Sequence, residues 1–173
     1  MRLVECTLSE HGAAILEILN DAIATSTALY DYRARELESM TGWFEAKARG
    51  GFPVWGALGD DGQLLGFASY GTFRAWPAYK YSVEHSVYVA RDCRGHGVGK
   101  ALMQRLIASA SEQDKHVLIG GIDAENAASI RFHEQLGFRH CGTVAQAGFK
   151  FGRWLDLAFY QLILATPTQP EDG

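Results

Sequence analysis

Val83-Glu84-His85-Ser86-Val87-Tyr88-Val89, followed after four residues by Arg94-Gly95-His96-Gly97-Val98-Gly99-Lys100, is the stretch that decides the fold. The first run is apolar enough for a strand, and the second opens an amphipathic helix whose stripe is Ala101, Leu102, Leu106, Ile107 and Ala110. Three glycines within five residues let the backbone turn sharply and bring several N–H groups close to a ligand. Those groups fall on a helix N-terminus, where the macrodipole favours an anion, so the run reads as a phosphate cradle. A P-loop requires a hydroxyl after Gly-Lys, and Gly99-Lys100 is followed by Ala101. The dinucleotide fingerprint meets Lys100 or Leu102 where it needs glycine. The pattern left is Arg/Gln-x-x-Gly-x-Gly over 94–99.

Composition bounds the rest. A chain of 173 residues, 47% hydrophobic and 21% charged, makes one domain with a sizeable core. A net charge of −4 lacks the basic face that nucleic acid or an anionic membrane requires, so neither is expected as a partner. Cys6, Cys93 and Cys141 are widely spaced without C-x-x-C, which suggests neither a disulfide framework nor a metal site. Free thiols, an N-terminus carrying Glu5 and Glu10, and no apolar run of ~18 residues lead to the expectation of a cytoplasmic protein.

Periodicity fills in the flanks. A short strand over 2–6 precedes a helix carrying Ala14, Ile15, Ile18, Leu19, Ala22 and Ile23, with Ser9 as the expected N-cap. Leu37, Met40, Phe44 and Ala48 mark a second helix, stopped by Gly50-Gly51 and Pro53. Asp61-Gly62 turns a hairpin between 54–58 and 64–70. Beyond the helix over about 97–113 come a strand at 117–122, a helix from Asn126 to Leu136 stopped by Gly137, and strands at 138–147 and 153–164. The domain is expected over 1–165, with a polar, frayed tail over 166–173. The order βααβββαβαββ, with a parallel pair implied by the β-α-β unit at 83–122, predicts a mixed α/β sheet of six to seven strands flanked by four helices.

Strand alternation sets Glu84, Ser86 and Tyr88 on one face and Val83, His85, Val87 and Val89 on the other. A carboxylate in an apolar strand is costly unless solvated, paired or used, and burial would raise its pKa toward that of a general base. A salt-bridged or strand-end Glu84 is the plain alternative. His133, four residues before Gly137, is either a proton donor or a packed imidazole. Asn126 is either a ligand to amide groups or simply a helix cap. If the sheet splays beside the 83–89 strand, backbone groups of Val87 and Val89 need partners, which a bound amide arm would supply. Arg74 in Phe73-Arg74-Ala75-Trp76-Pro77-Ala78-Tyr79 offers a planar fork for an oxyanion, and the aromatics wall a pocket or cap the core. Thr25-Ser26-Thr27-Ala28-Leu29-Tyr30 adds hydroxyls and one ring, or merely ends its helix.

The loop over 94–99 resembles the pyrophosphate loop of the GNAT superfamily of acetyl-CoA-dependent N-acetyltransferases, and the element order is that of the GNAT fold. The likeness extends through Asn20-Asp21-Ala22, Thr25-Ser26-Thr27, Val83–Val89, Ile122-Asp123, Asn126–Phe138 and Gly148-Phe149-Lys150-Phe151-Gly152-Arg153-Trp154-Leu155-Asp156. These blocks resemble the phosphinothricin and methionine sulfone or sulfoximine branch. The resemblance implies acetyl transfer to the α-amino group of a small amino acid by direct attack in a ternary complex, in a homodimer, without a metal. It implies Glu84 as base and His133 as acid. Cofactor contacts would come from Val87, Tyr88, Val89, Arg94, Gly95, His96, Gly97, Val98, Gly99, Lys100, Asn126 and Ser129, and substrate contacts from Tyr30, Phe73, Arg74, Trp76, Glu84, His85, Ser86 and Lys150. Rival readings are acetylation of a polyamine, peptide or aminoglycoside, and a silent acyl-CoA-binding module. A covalent route through Cys93 is disfavoured, since it neighbours the phosphate loop.

Overall fold

Seven strands and four helices follow one another in the expected order in the computed structural model, which describes residues 1–172. They are β1 (Arg2–Glu5), α1 (Leu8–Thr25), α2 (Leu37–Arg49), β2 (Val54–Leu58), β3 (Leu64–Thr72), β4 (Ser82–Val89), α3 (Val98–Glu112), β5 (Val117–Asp123), α4 (Ala127–Gln135), β6 (Arg139–Lys150) and β7 (Arg153–Ile163). One sheet holds all seven strands in the order β1-β2-β3-β4-β5-β7-β6. Every neighbouring pair is antiparallel except β4 and β5, whose crossover passes through α3.

Period-two alternation gives the sheet two apolar faces, so the core has two parts. Ala68, Tyr70, Val83 and Leu118 meet the α3 stripe of Leu102, Met103, Leu106 and Ala110 on one side. Phe67 meets Ile15, Ile18 and Leu19 of α1 and Met40 of α2 on the other. Each such fully buried aliphatic or aromatic side chain is worth roughly 1.5–3 kcal/mol in area removed from water.

Three local expectations change. Thr7 rather than Ser9 caps α1: its hydroxyl accepts from the Glu10 N–H at 3.3 Å, and its carbonyl accepts the first helical bond from His11. The legible signal was the Thr7-x-x-Glu10 capping-box spacing. Strand β6 continues to Lys150 because a bulge absorbs the irregularity; pairing moves from Val144↔Leu157 to Gly148↔Leu155, with Gln146 at φ 52 and its N–H on the Asp156 carboxylate. The tail is held at two points. The Thr166 hydroxyl donates to the Lys115 carbonyl at 2.6 Å, and the Glu171 N–H donates to the Tyr81 hydroxyl at 3.0 Å.

Candidate active site

The feature that makes a site is a gap in the sheet. Pairing of β4 with β5 covers Ser82↔Val117, Val83↔Leu118 and Glu84↔Ile119 and then stops, although β4 runs on to Val89 and β5 to Asp123. The two strands splay, and a cleft of about 400 Å³ opens between them. On its far side β4 stays paired with β3 along its length, so the edge facing the gap beyond Glu84 carries unmatched backbone groups.

Glu84 stands where the splay begins. Its side chain is exposed to the cleft, with a glycine close by in each neighbouring strand, although its registered partner in β5 is Ile119. Gly71 lies opposite it on β3, and a Cβ on Gly121 of β5 would come within 3.3 Å of its Oε1. The cleft walls still remove enough water to push the carboxyl above its ordinary value, while the Arg74 guanidinium pulls it down. No side chain among the described residues donates a hydrogen bond to it. A carboxylate with a raised pKa and free lone pairs, open to a cleft, is equipped to take a proton from an incoming group.

His85 and His133 lie on the opposite face, buried and joined Nε2 to Nε2 at 3.0 Å. The His133 Nδ1 is 2.7 Å from the Ser129 carbonyl, which can only accept, so that nitrogen carries hydrogen. In the neutral ring Nε2 must then accept, and the donor is Nε2–H of His85. Nδ1 of His85 is left as a bare, buried lone pair without a partner. Burial, reinforced by His133, pushes His85 down to about 3, and burial also lowers His133. Both rings line the cleft, but their polar atoms are largely used within the protein: His133 has both nitrogens committed in the neutral ring, and His85 packs against Phe138 and His133. Gly120 makes room for the pair, since a Cβ there would lie 2.7 Å from His85 Cε1 and 3.5 Å from His133 Nε2.

The glycine loop meets the start of α3 at the outer end of β4. Gly95 and Gly97 take φ of 80° and 82°, and Gly97 is the N-cap. The first helical bond runs from the Ala101 N–H to the Gly97 carbonyl, so the N–H groups of Val98, Gly99 and Lys100 have no acceptor within the helix. Arg94 donates from Nε to the Val89 carbonyl at 3.1 Å and pins the loop to the strand; His96 and Lys100 are exposed. The Val98 side chain is buried in the core, so this residue offers a ligand only its backbone. Tyr88 lines the cleft on the Glu84 face, its ring packed 5.4 Å from Phe67. Asn126 caps α4 through Oδ1, accepting from the Ser129 N–H at 3.0 Å, and both residues line the cleft. A row of free N–H donors on a helix start, continued by an unpaired strand edge, fits a pyrophosphate followed by an amide-bearing arm.

The expected acceptor contacts scatter. Arg74 acts on Glu84 electrostatically and stacks on Phe73 at 5.3 Å, but Trp76 is 66% exposed and neither ring lines the cleft. Ser86 lines it, whereas Tyr30 packs on Gly148, where a Cβ would meet its ring at 2.6 Å. Lys150 is buried and spends its N–H groups on the carbonyls of Ile23, Ser26 and Leu29 at 2.8, 2.9 and 2.6 Å. It therefore clamps the end of α1 instead of reaching an acceptor. Sequence reasoning missed Asp123, which is buried and accepts from Thr27 at 2.6 Å and from Arg153 at 3.1 Å. It also missed Lys47, which lines the cleft. The signal was Gly120-Gly121, two glycines in one strand that leave space on both faces.

No group of three or more potential metal ligands exists among the described residues, and no helix there is long and apolar enough to cross a membrane. Residues 14–138 match the family model described as the acetyltransferase (GNAT) family. Among curated proteins, the chain is similar to the L-methionine sulfoximine/L-methionine sulfone acetyltransferase of Pseudomonas paraeruginosa, 47% identical over 150 residues and 87% of each chain. Among solved structures, it is similar to a protein of Acinetobacter baylyi ADP1 described as a candidate acetyltransferase. That likeness has a TM-score of 0.98 and 61% identity over 99% of this chain and 96% of the other. It is also similar to a phosphinothricin acetyltransferase from Sinorhizobium meliloti solved with acetyl-CoA, with a TM-score of 0.92 and 30% identity over 98% and 91%.

Proposed function

Since the chain belongs to the acetyltransferase (GNAT) family, we propose that it acetylates the α-amino group of a small amino acid whose side chain carries a tetrahedral oxo group, such as methionine sulfone, methionine sulfoximine or phosphinothricin. The observation that carries this is Glu84, a carboxylate of raised pKa with free lone pairs at the point where the sheet splays. An ammonium group has no lone pair for attack, so it must first lose a proton, and Glu84 is placed to accept it directly or through water.

Acetyl-CoA, the family's co-substrate, supplies the acetyl group as a thioester. The free N–H groups of Val98, Gly99 and Lys100 would hold its pyrophosphate, aided by the turns at Gly95 and Gly97. The β4 edge at Val87 and Val89 would hold its amide arm, with Asn126 and Ser129 across the cleft. The same edge offers N–H donors to polarise a carbonyl. His133 serves by shape, held in one tautomer by Ser129 and His85. Arg74, flanking Glu84, is the natural partner of the acceptor carboxylate because its fork matches two oxygens.

A homodimer is proposed as well, supported by the exposed Phe149, Phe151 and Trp154 on β6, β7 and the turn between them. Sedimentation should give twice the chain mass; a single mass would overturn it. Acceptor choice is tested by acetyl-CoA-dependent thiol release with methionine sulfone, methionine sulfoximine, phosphinothricin, spermidine and a peptide amine. Turnover confined to the first three supports the reading, and turnover confined to the last two overturns it.

A further inference from the structure

Lys47 is the one lysine or arginine among the residues lining the cleft. It projects from α2 and donates from Nζ to the Tyr70 carbonyl at 2.8 Å. No carboxylate lies within ion-pairing distance of it among the described residues, although every carboxylate it could neutralise would relieve its burial. Its stem runs along Trp43 and Phe52, with the ammonium 5.2 and 6.0 Å from the two ring centroids. These contacts fix the position of the head and leave two of its three N–H groups free.

Its position relative to Glu84 follows from the sheet. A Cβ on Gly71 would lie 3.6 Å from Lys47 Nζ, and Gly71 is the cross-strand partner of Glu84. Directly opposed residues point the same way with Cβ atoms about 5 Å apart. Lys47 therefore hangs over the empty place beside Glu84, a place that any residue but glycine would fill. A cation and a carboxylate share one patch of wall without touching, so a ligand bearing an ammonium and a negative oxygen fits between them.

We propose that Lys47 binds an oxygen of the tetrahedral side-chain group of the acceptor and thereby sets the preference for oxidised over plain side chains. The inference rests on the amino-acid reading of the preceding section. Two cations are at hand for the acceptor's two oxygen-bearing groups, its carboxylate and its tetrahedral oxo group. The planar Arg74 fork matches a carboxylate, and the compact lysine ammonium matches one oxygen of a tetrahedral phosphorus or sulfur. Burial lowers Lys47 to about 8, so it remains mostly protonated at neutral pH while being sparingly hydrated.

The test compares methionine sulfone with methionine, which differ only in the two sulfone oxygens, for the wild type, Lys47→Met and Lys47→Arg. Methionine is measured as a substrate or, if slow, as a competitive inhibitor of sulfone turnover. Lys47→Met should raise KM for the sulfone at least tenfold and change the methionine constant less than twofold. Lys47→Arg should keep most of the discrimination. Acetyl-CoA affinity and melting temperature, read in parallel, should stay near wild type. Equal loss on both acids, or unaltered preference in Lys47→Met, overturns the role of Lys47 and leaves the amino-acid reading intact. A wild type inert toward both acids overturns that reading and this inference with it.

Discussion

Replacing His85 with phenylalanine should remove a specific acid sensitivity. His85 is held neutral in the folded protein, with its pKa pushed from 6.5 to about 3 by burial and by His133. The unfolded chain binds a proton below pH 6.5 that the folded chain refuses, so stability is complete above that value and drains away as pH falls toward 3. At about 1.36 kcal/mol for each pH unit, moving from pH 7 to pH 5 should cost about 2 kcal/mol through this one ring. Phenylalanine keeps a flat ring against Phe138, whose centroid is 5.0 Å away, but has nothing to titrate. Urea unfolding of both proteins at pH 7 and pH 5, at one protein concentration, reads the effect, because the ionisable groups other than its bonded partner His133 largely cancel in the difference. Wild type should lose about 2 kcal/mol more than His85→Phe. Equal losses would refute the buried, neutral assignment of His85.

Further expectations follow from the same contacts. Lys150→Met leaves the carbonyls of Ile23, Ser26 and Leu29 without their charged donor and should lower stability by about 3 kcal/mol, read by urea unfolding. Gly120→Ala drives a methyl to 2.7 Å from the His85 ring and should cost about 1–3 kcal/mol, with loss of turnover as the histidine pair shifts. The kcat/KM profile for the acceptor should rise with pH along a limb above the ordinary carboxylate range, since the raised Glu84 must be ionised to act. A limb at an ordinary glutamate value, or one unchanged in Glu84→Gln, would contradict that.

The fold was legible because its signals are local. Helical stripes, the Asp61-Gly62 turn, the glycine loop and the Gly137 stop each act within a few residues, and the element order followed from them. Alternation along β4 likewise put Glu84, Ser86 and Tyr88 on one face correctly. What escaped depends on which strands become neighbours. His85 meets His133 across 48 positions, and Lys150 reaches the end of α1 across 121 to 127. Both are contacts between elements far apart in the chain, β4 with α4 and the end of β6 with α1, a juxtaposition that hydrophobic patterning does not encode. Lys150 and His133 carried the right chemistry for ligand contacts, and only their neighbours show that the protein itself uses their donors.

The account turns on Glu84 as the proton acceptor, and Glu84→Gln tests it most directly. Thiol release with methionine sulfone should fall by about 10²–10⁴-fold, the usual worth of a general base, while acetyl-CoA binding measured by calorimetry stays within about twofold of wild type. Undiminished turnover in Glu84→Gln, or a parallel loss of acetyl-CoA binding, would contradict it.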